Sequence, residues 1–497
     1  MSCAREICAD NRMGSSTPPQ HEQQGTSTGV ARRRERGYAP REVRAALWYI
    51  VIAWIFGAAF CSLTGGAPLY SFLKDSLHTD DFSFGLVMAA GPTALLFFFL
   101  GSLVVERTGR VKSQFLLFVT AGRFAWVAVA AIALWMPVRA HTSGHLQVLL
   151  VGVAIFLSAS MQNFGGAGWP MWMSEVVPTS VAGKFFGIRS QIGLISMVLA
   201  ALGGSALIDH FKQTPWLFAA LFALAAILGC LDILHFMPIR ELPRQTVGDP
   251  PSPRDILITP WKNPLFRSFA CYTTLAWIAY MMMSPFVSRY CLDAPRVRGL
   301  GMSVSMMNLL LFIIPWVSMA LVSPWWGQAV DRFGPKPVLT LSAFCTALST
   351  VGWCVMQPAL RWTLPFLVAF VGFTWPGIDQ TSIYMQVKGF PAARNSAYNA
   401  TFLAVNGFAS VVGMSLGGWY ASFWAHHMTL LAGLPIWVSH YHPVFLTSLV
   451  LRFAAFFFLL PRLQLPGTAR MSSVAGTMLR ESVSFLPHIV KRVKRKG

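Results

Sequence analysis

The chain has 497 residues, of which 55% are hydrophobic and only 12% are charged, and its formal net charge is +20. A soluble globular protein carries about 25% charged residues, so this chain has too few to cover the water-facing surface that its length implies. The composition excludes an ordinary soluble protein and favours one that is embedded in a lipid bilayer.

The chain starts with a polar, basic stretch that is followed by long apolar segments. Residues 1–42, rich in Ser, Gln, Gly and Arg, predict a disordered tail. Twelve later segments are long enough to span a membrane, since about 20 helical residues cross the hydrocarbon core. The longest polar break between them, 238–265, predicts a linker, so we expect six-helix bundles at 43–237 and 266–462 and a basic tail at 463–497. The twelve segments are 45–68, 83–105, 113–137, 146–173, 185–209, 214–237, 266–290, 300–328, 337–357, 361–387, 396–424 and 443–462.

The positions of the positive charges predict how the chain is oriented. Of the 39 Lys and Arg residues, seven would lie on one side of the membrane, two lie inside apolar segments, and all the others lie on the opposite side. This bias puts both termini in the cytoplasm. Because the charges are spread over helix ends, they argue against a nucleic-acid partner. The seven are Lys74, Arg139, Lys212, Arg289, Arg296, Arg298 and Arg361.

One polar pattern occurs twice, each time between two apolar segments. It combines a glycine, an acid, an arginine, a second glycine and a further basic residue, as GSLVVERTGRVK at 101–112 and GQAVDRFGPK at 327–336. Such recurrence indicates a duplicated membrane protein. The fourth segment contains Trp169-Pro170 and the tenth contains Trp375-Pro376. Because proline leaves a backbone carbonyl without its helical partner, we expect these two helices to bend.

With these repeats, the chain resembles the major facilitator superfamily over residues 45–462, and within it a little-characterised prokaryotic subgroup. The family signature between helices 2 and 3 is Gly-x-x-x-Asp-Arg-x-Gly-Arg-Arg/Lys; the second copy here fits it better, since Ser102 and Glu106 depart from it in the first. The resemblance implies an all-α fold of two pseudo-symmetric six-helix bundles. It also implies a secondary active transporter that moves a small organic solute by alternating access. The alternative is a membrane sensor or assembly partner with the same fold and no transport.

The two copies of the pattern predict a cytoplasmic gate. An acid at the C-terminus of a helix meets the unfavourable end of the helix dipole, so it gains by contacting arginine or the N-terminus of another helix. Such contacts can join the two bundles when the opposite side is open; the alternative is that they only cap helix ends. We expect Glu175 to pair with Arg110 or Arg189. The predicted gate residues are Glu106, Arg107, Arg110, Glu175, Asp331, Arg332 and Lys336.

Four ionisable residues lie deep inside apolar segments, which predicts that they are paired or face a cavity. Arg123 and Asp232 belong to the first bundle, Asp379 and Arg452 to the second. The resemblance implies that helices 1, 4, 7 and 10 line the cavity while 3, 6, 9 and 12 support it. Asp379, with Gln380 beside it, is therefore the first candidate for substrate contact or proton coupling. An ion pair between Asp379 and Arg452 is the structural alternative, and Arg123 and Asp232 favour a structural pair.

Polar uncharged residues inside the helices are further candidates for substrate contact, or else for interhelical hydrogen bonds: Gln162, Asn163, Tyr280 and Asn406. Eight of the eleven histidines fall near the predicted outer face, where solvated loop residues are favoured over a metal site. The apolar segments hold no HExxH, GxSxG or nucleotide-binding loop, which argues against an enzyme and an ATP-driven pump. We expect no cofactor or metal, and the partners are a small-molecule substrate, a coupling proton and the lipid bilayer around a monomer.

Overall fold

The computed structural model describes residues 38–135, 145–178, 182–211, 214–242, 253–391, 395–428, 435 and 437–463. The two predicted tails therefore fall almost wholly outside the described residues. Throughout the described ranges the regular structure is helical, as the apolar segments predict. We number the membrane helices α1 Pro40–Ser76, α2 Asp81–Thr108, α3 Val111–Leu134, α4 His145–Val176, α5 Ala182–His210, α6 Pro215–Leu234, α7 Pro264–Leu292, α8 Val304–Phe333, α9 Pro335–Cys354, α10 364–389, α11 Asn395–His426 and α12 His442–Arg462.

In the part of the chain that is described, eleven of these helices are long and apolar enough to cross a membrane. The remaining one, α10, is divided into Leu364–Thr374 and Pro376–Tyr384, with a wider final turn at Met385–Gly389. Helix α4 is divided in the same way, into His145–Gly166 and Trp169–Val176. The prediction that α4 and α10 bend beside their Trp-Pro pairs is confirmed.

The duplicated pattern places a helix stop at the same point of each bundle. Gly109 ends α2 and Gly334 ends α8, both with a positive φ, of 64° and 86°. Each donates its N–H to the carbonyl four residues earlier, Val105 at 2.8 Å and Val330 at 3.0 Å. Glycine adopts this backbone without the steric cost that a side chain imposes. The second glycine of the pattern therefore makes the sharp reversal into the next helix.

Helix packing is dense within each half and more selective between halves. In the N-terminal half α1 packs along α5 and α6, and in the C-terminal half α7 packs along α11 and α12. The halves meet where α2 lies on α11 and where α5 lies on the start of α8. A short helix, Pro253–Lys262, precedes α7 in the linker region. The division into two six-helix units separated at 238–265 stays a prediction.

The ends of the helices define two faces of the molecule. We call the side where α1 begins and α12 ends the terminal face, and the opposite side the distal face. On the terminal face, Lys112 at the start of α3 donates to the carbonyl of Met237 just beyond α6, at 2.7 Å. Lys336 at the start of α9 donates in the same way to the carbonyl of Leu463 beyond α12, at 2.8 Å. The basic residue of each pattern thus satisfies carbonyl groups at the end of the last helix of its own half.

The first glycine of the two patterns has different surroundings. A Cβ atom at Gly101 would overlap the backbone carbonyl of Phe164 on α4, whereas one at Gly327 would meet only Gln380 Oε1, at 3.8 Å. We expect Gly101→Ala to lower the stability of the purified protein by about 1–3 kcal/mol, the usual cost of overpacking. Gly203→Ala, on a helix surface with no neighbour within 4 Å, is the control. Thermal unfolding in detergent measures both, and equal melting temperatures would show that α2 and α4 separate without cost.

Candidate functional site

One cavity lies mainly between the helices of the C-terminal half. Its volume is about 520 Å³, and α7, α9, α10, α11 and α12 line it, together with Pro92 and Leu95 of α2. Helices α9 and α12 were expected only to support the cavity. They contribute lining side chains instead, among them Thr346 and Arg452, so this expectation is wrong.

Three aromatic rings form one wall of this cavity. Tyr280 and Trp375 have ring centroids 4.6 Å apart, and Trp277 completes the cluster at 5.4 Å from Tyr280 and 5.9 Å from Trp375. Trp375 occupies the break in α10, so its position depends on the interruption before Pro376. All three rings are half-buried. They present flat apolar faces against which a planar or cationic group can stack.

Asp379 and Arg452 both line the cavity, and they do not pair with each other. The guanidinium of Arg452 donates to Ser448 Oγ at 3.3 Å and to the carbonyl of Thr346 at 3.5 Å, and it lies over the ring of Tyr280. Among the described residues the carboxylate of Asp379 forms no ion pair; the indole of Trp375, one turn earlier, lies beside it. The structural pair considered from the sequence is therefore not formed.

A second cavity, of about 320 Å³, adjoins the first one. The two cavities share five lining residues, and these include both charged side chains: Tyr280, Thr346, Trp375, Asp379 and Arg452. The second cavity continues past them toward α8 and Tyr70 of α1. The aromatic rings and the two charges therefore stand at the junction between the spaces.

In the N-terminal half, by contrast, the two intramembrane charges pair with each other. Arg123 Nη2 lies 3.1 Å from Asp232 Oδ2, and the two residues are only 8% and 4% exposed. The guanidinium also lies over the ring of Phe60, 3.9 Å from its centroid. Arg123, a candidate substrate contact from the sequence, is here a partner in a buried ion pair. The expected structural pairing of Arg123 with Asp232 is confirmed.

The remaining uncharged candidates divide between the cavity and the helix interfaces. Asn406 lines the cavity with Tyr280, and its Oδ1 is buried without a hydrogen-bond partner among the described residues. Gln162 and Asn163 instead donate within α4, to Ser158 Oγ and the carbonyl of Ala159, both at 2.9 Å. These contacts keep both side chains on their own helix, and neither residue lines the two cavities described here. Gln380 turns toward Gly327 on α8 rather than into the cavity.

The predicted gate residues lie together on the terminal face. Within the described ranges, four of these side chains make no ion pair in this conformation: Glu106, Arg107, Arg110 and Asp331. Arg332 lies 5.2 Å from the ring of its neighbour Phe333. Glu175 lies at the end of α4. Arg189, one of its two expected partners, lies over the rings of Trp54 and Trp169, and the pairing of Glu175 stays a prediction.

A polar network joins the halves on the distal face, and the sequence analysis missed it. Arg289 of α7 lies 3.1 Å from Asp81 of α2 and donates to the carbonyl of Thr79 at 2.7 Å. Lys74 of α1 pairs with Asp293, just beyond α7, at 2.9 Å. Asp209, at the end of α5, accepts from two backbone N–H groups at the start of α8, both at 2.9 Å. In the sequence, the only indication of this network was that Lys74 and Arg289 lie close to acidic residues on the side of the membrane with few positive charges.

The segment before α12 completes this distal network. The Tyr441 hydroxyl lies 2.9 Å from Asp293 and 3.2 Å from Asp81, and His440 lies 3.1 Å from Asp81. Burial and the charge of Asp81 raise the pKa of Tyr441 well above its usual value, so the phenol stays protonated and donates to the carboxylates. His442 is buried and contacts the carbonyl of Met356. The expectation that these histidines are solvated loop residues is wrong, because the segment packs against α2 and α7.

Comparison with known proteins agrees with this architecture. The family model described as Major Facilitator Superfamily matches residues 294–472. The match covers 179 of the 497 residues. Multidrug resistance protein MdtG of Salmonella arizonae is 24% identical over 283 residues, which cover 54% of this chain and 67% of that protein. MdtG of Salmonella typhi is 25% identical over 234 residues, covering 46% and 55%.

Solved structures share the fold of this chain at low sequence identity. A mutant form of the nucleoside transporter NupG superimposes with a TM-score of 0.63 and 14% identity, covering 84% of this chain and all of that one. A bacterial homologue of the human lysosomal transporter Spinster gives 0.62 and 12%, covering 86% and 98%. The D-xylose–proton symporter gives 0.52 and 15%, covering 86% and 99%. The apolar helices and these likenesses indicate a multi-pass membrane protein with the fold of known transporters.

The different pairing of the intramembrane charges predicts different effects of removing each acid. Asp232→Asn leaves Arg123 buried without its counter-charge, and we expect it to cost about 3–5 kcal/mol of stability. Asp379→Asn breaks no ion pair, so the melting temperature should be unchanged or higher. Thermal unfolding and the yield of folded protein in detergent measure the difference. A loss in Asp379→Asn as large as that in Asp232→Asn would indicate that Asp379 also stabilises the fold.

Proposed function

We propose that this protein is a secondary active transporter that moves a small organic solute across the inner membrane of a bacterium by alternating access. The observation that carries the proposal is the cavity of about 520 Å³ at membrane depth, which holds the unpaired Asp379 and Arg452. Unpaired charges in a bilayer are costly and belong to substrate or ion pathways more often than to packing. The match of residues 294–472 to the superfamily model supports the same class, and so does the likeness in fold to a nucleoside transporter and a proton symporter.

The contacts between the halves suggest how access alternates. The distal network around Asp81, Arg289 and Tyr441 holds the halves together on one side. On the terminal face the acids Glu106 and Asp331 make no ion pair among the described residues. We therefore interpret this conformation as open toward the terminal face, which we propose is cytoplasmic. In the opposite state the distal contacts would break and the two Gly-capped loops would form contacts between the halves.

Asp379 is the residue that we propose couples transport to an ion gradient. It is half-buried, lines both cavities and lacks a cationic partner among the described residues. A carboxylate with these properties can bind a proton in one state and release it in another. It can also bind a cationic group of the solute at a different stage of the cycle. We expect the protein to act as a monomer, since the cavity is complete within one chain.

The decisive experiment is solute uptake by proteoliposomes, screened over a broad set of small organic solutes, with and without an imposed pH gradient. We expect the gradient to stimulate uptake by the parent protein. Asp379→Asn, which keeps the shape of the side chain and removes its titration, should abolish this stimulation. Proton-driven uptake that continues unchanged in Asp379→Asn would contradict the coupling role. The absence of uptake of every solute would favour the sensor or assembly partner that the fold also permits.

The two sets of contacts predict opposite effects on access to the cavity. The probe is a cysteine at Ser382, which lines the cavity, in a background without the native cysteines. We expect Asp331→Ala to increase its labelling from the terminal face, because contacts that close that face are lost. Asp81→Ala should decrease labelling, because it removes distal contacts to Arg289, His440 and Tyr441. A contact worth about 1.4 kcal/mol changes the population ratio about tenfold.

Labelling that is the same in Asp331→Ala as in the parent would show that the acid only caps the end of α8. Labelling that is the same in Asp81→Ala would show that the distal network does not set the conformational equilibrium. Arg361→Gln, an exposed change on the distal face that lies outside the network, is the control for altered surface charge.

A further inference from the structure

We propose that the cavity recognises a net-neutral solute that carries a cationic group, an anionic group and a flat aromatic ring, that is, an aromatic zwitterion. The inference rests on the proposed function, since it takes this cavity as the transport site. The observations that carry it are the two opposite charges left unpaired in one cavity and the aromatic wall beside them.

The two halves of the chain provide an internal comparison. Each contains one arginine and one aspartate at membrane depth. In the N-terminal half Arg123 and Asp232 lie 3.1 Å apart and are almost fully buried. In the C-terminal half Asp379 and Arg452 are half-buried and line the same cavity without meeting. The arginine and aspartate thus form an ion pair in one half, whereas in the other half they face a cavity and do not pair.

The charge balance of the cavity selects the charge of its occupant. Asp379 is the one carboxylate and Arg452 the one guanidinium among the described residues that line the larger cavity. A solute with a single positive charge would satisfy Asp379 and leave Arg452 unmatched, and a single negative charge would do the reverse. A zwitterion satisfies both, so both charges retain a partner in a medium that stabilises isolated charges poorly.

Donor groups of Arg452 remain available for an anion. Its Nε and Nη1 donate to Ser448 and Thr346, while Nη2 donates to no atom among the described residues. A guanidinium binds a carboxylate in a forked geometry, and the remaining N–H groups can supply part of it. The solute must reach Asp379 at the same time, so its two charges have to be separated by more than a direct ion-pair contact.

The aromatic wall lies next to both charges and supplies the third recognition element. Arg452 lies over the ring of Tyr280, at 5.3 Å from its centroid, and Tyr280 contacts Trp375. Trp375 lies beside Asp379. A flat ring that stacks here would carry its cationic group toward Asp379 and its anionic group toward Arg452. The volume of about 520 Å³ falls in the usual range for small-molecule sites.

The test measures dissociation constants for matched compounds with purified full-length protein in detergent. 4-(Aminomethyl)benzoic acid has a flat ring between separated charges, and L-phenylalanine is the zwitterion with closely spaced charges. Each is compared with its methyl ester, which keeps only the cation, and with its N-acetyl derivative, which keeps only the anion. We expect at least one zwitterion to bind about tenfold or more tightly than both of its derivatives, a preference of about 1.4 kcal/mol.

Variants identify which side chain binds which charged group of the solute. Asp379→Asn should remove the preference over the N-acetyl derivative and keep that over the ester. Arg452→Gln should remove the preference over the ester and keep that over the N-acetyl derivative. Arg452→Lys keeps the positive charge and should retain the preference over the ester; it replaces Arg452→Gln if the loss of hydrogen bonds in that variant harms folding. Arg361→Gln is the control and should bind as the parent does. The saturated-ring analogue of 4-(aminomethyl)benzoic acid should bind more weakly, because it cannot stack on the aromatic wall.

The outcomes separate this inference from the proposed function. Zwitterions that bind no better than their esters or N-acetyl derivatives would overturn the inference. Transport of solutes with a single charge, and no preference for zwitterions, would overturn it while leaving the transporter function intact. Selective binding of zwitterions with no transport of any solute would support the inference about recognition and overturn the proposed function.

Discussion

A charged side chain inside a bilayer must have a partner or face a polar space, and this requirement shapes both halves of the protein. Water cannot compensate for a lost interaction in the hydrocarbon region, so an isolated charge is costly. The N-terminal half meets the requirement by direct contact between Arg123 and Asp232. The C-terminal half meets it by opening a cavity between Asp379 and Arg452. The first arrangement joins two helices by an ion pair, and the second leaves the cavity in which we propose that a solute binds.

The bend in α10 connects this electrostatic constraint to the aromatic wall. Its interruption before Pro376 positions Trp375 against Tyr280 and beside Asp379. The distal network holds α2, α7 and the start of α12 together through Arg289 and Tyr441. In the proposed transport cycle, solute recognition and access to the cavity would therefore depend on different parts of one helical scaffold, as alternating access requires.

Sequence reasoning succeeded for features whose physical cause is local. Hydropathy located the helices, and the Trp-Pro pairs located the bends in α4 and α10, since a missing backbone donor acts within one turn. It failed where the outcome depends on the rotation of one helix against another. Arg452 lies on a helix expected only to support the cavity, and Gln162 and Asn163 hydrogen-bond within their own helix. The distal network joins residues about 360 positions apart, such as Asp81 and Tyr441, and no periodic pattern marks such a contact.

The sequence by itself determined that the protein lies in a membrane, which segments form its helices, and that its two halves repeat one design. These properties follow from the summed hydropathy of each segment and from glycine and proline at fixed points, which act without regard to neighbours. Only the tertiary structure decided that one Arg–Asp pair closes and the other stays open, because the distance between two side chains depends on how their helices pack. Each half carries the same two charges at membrane depth, and the packing of the helices makes the difference between a structural ion pair and a candidate binding site.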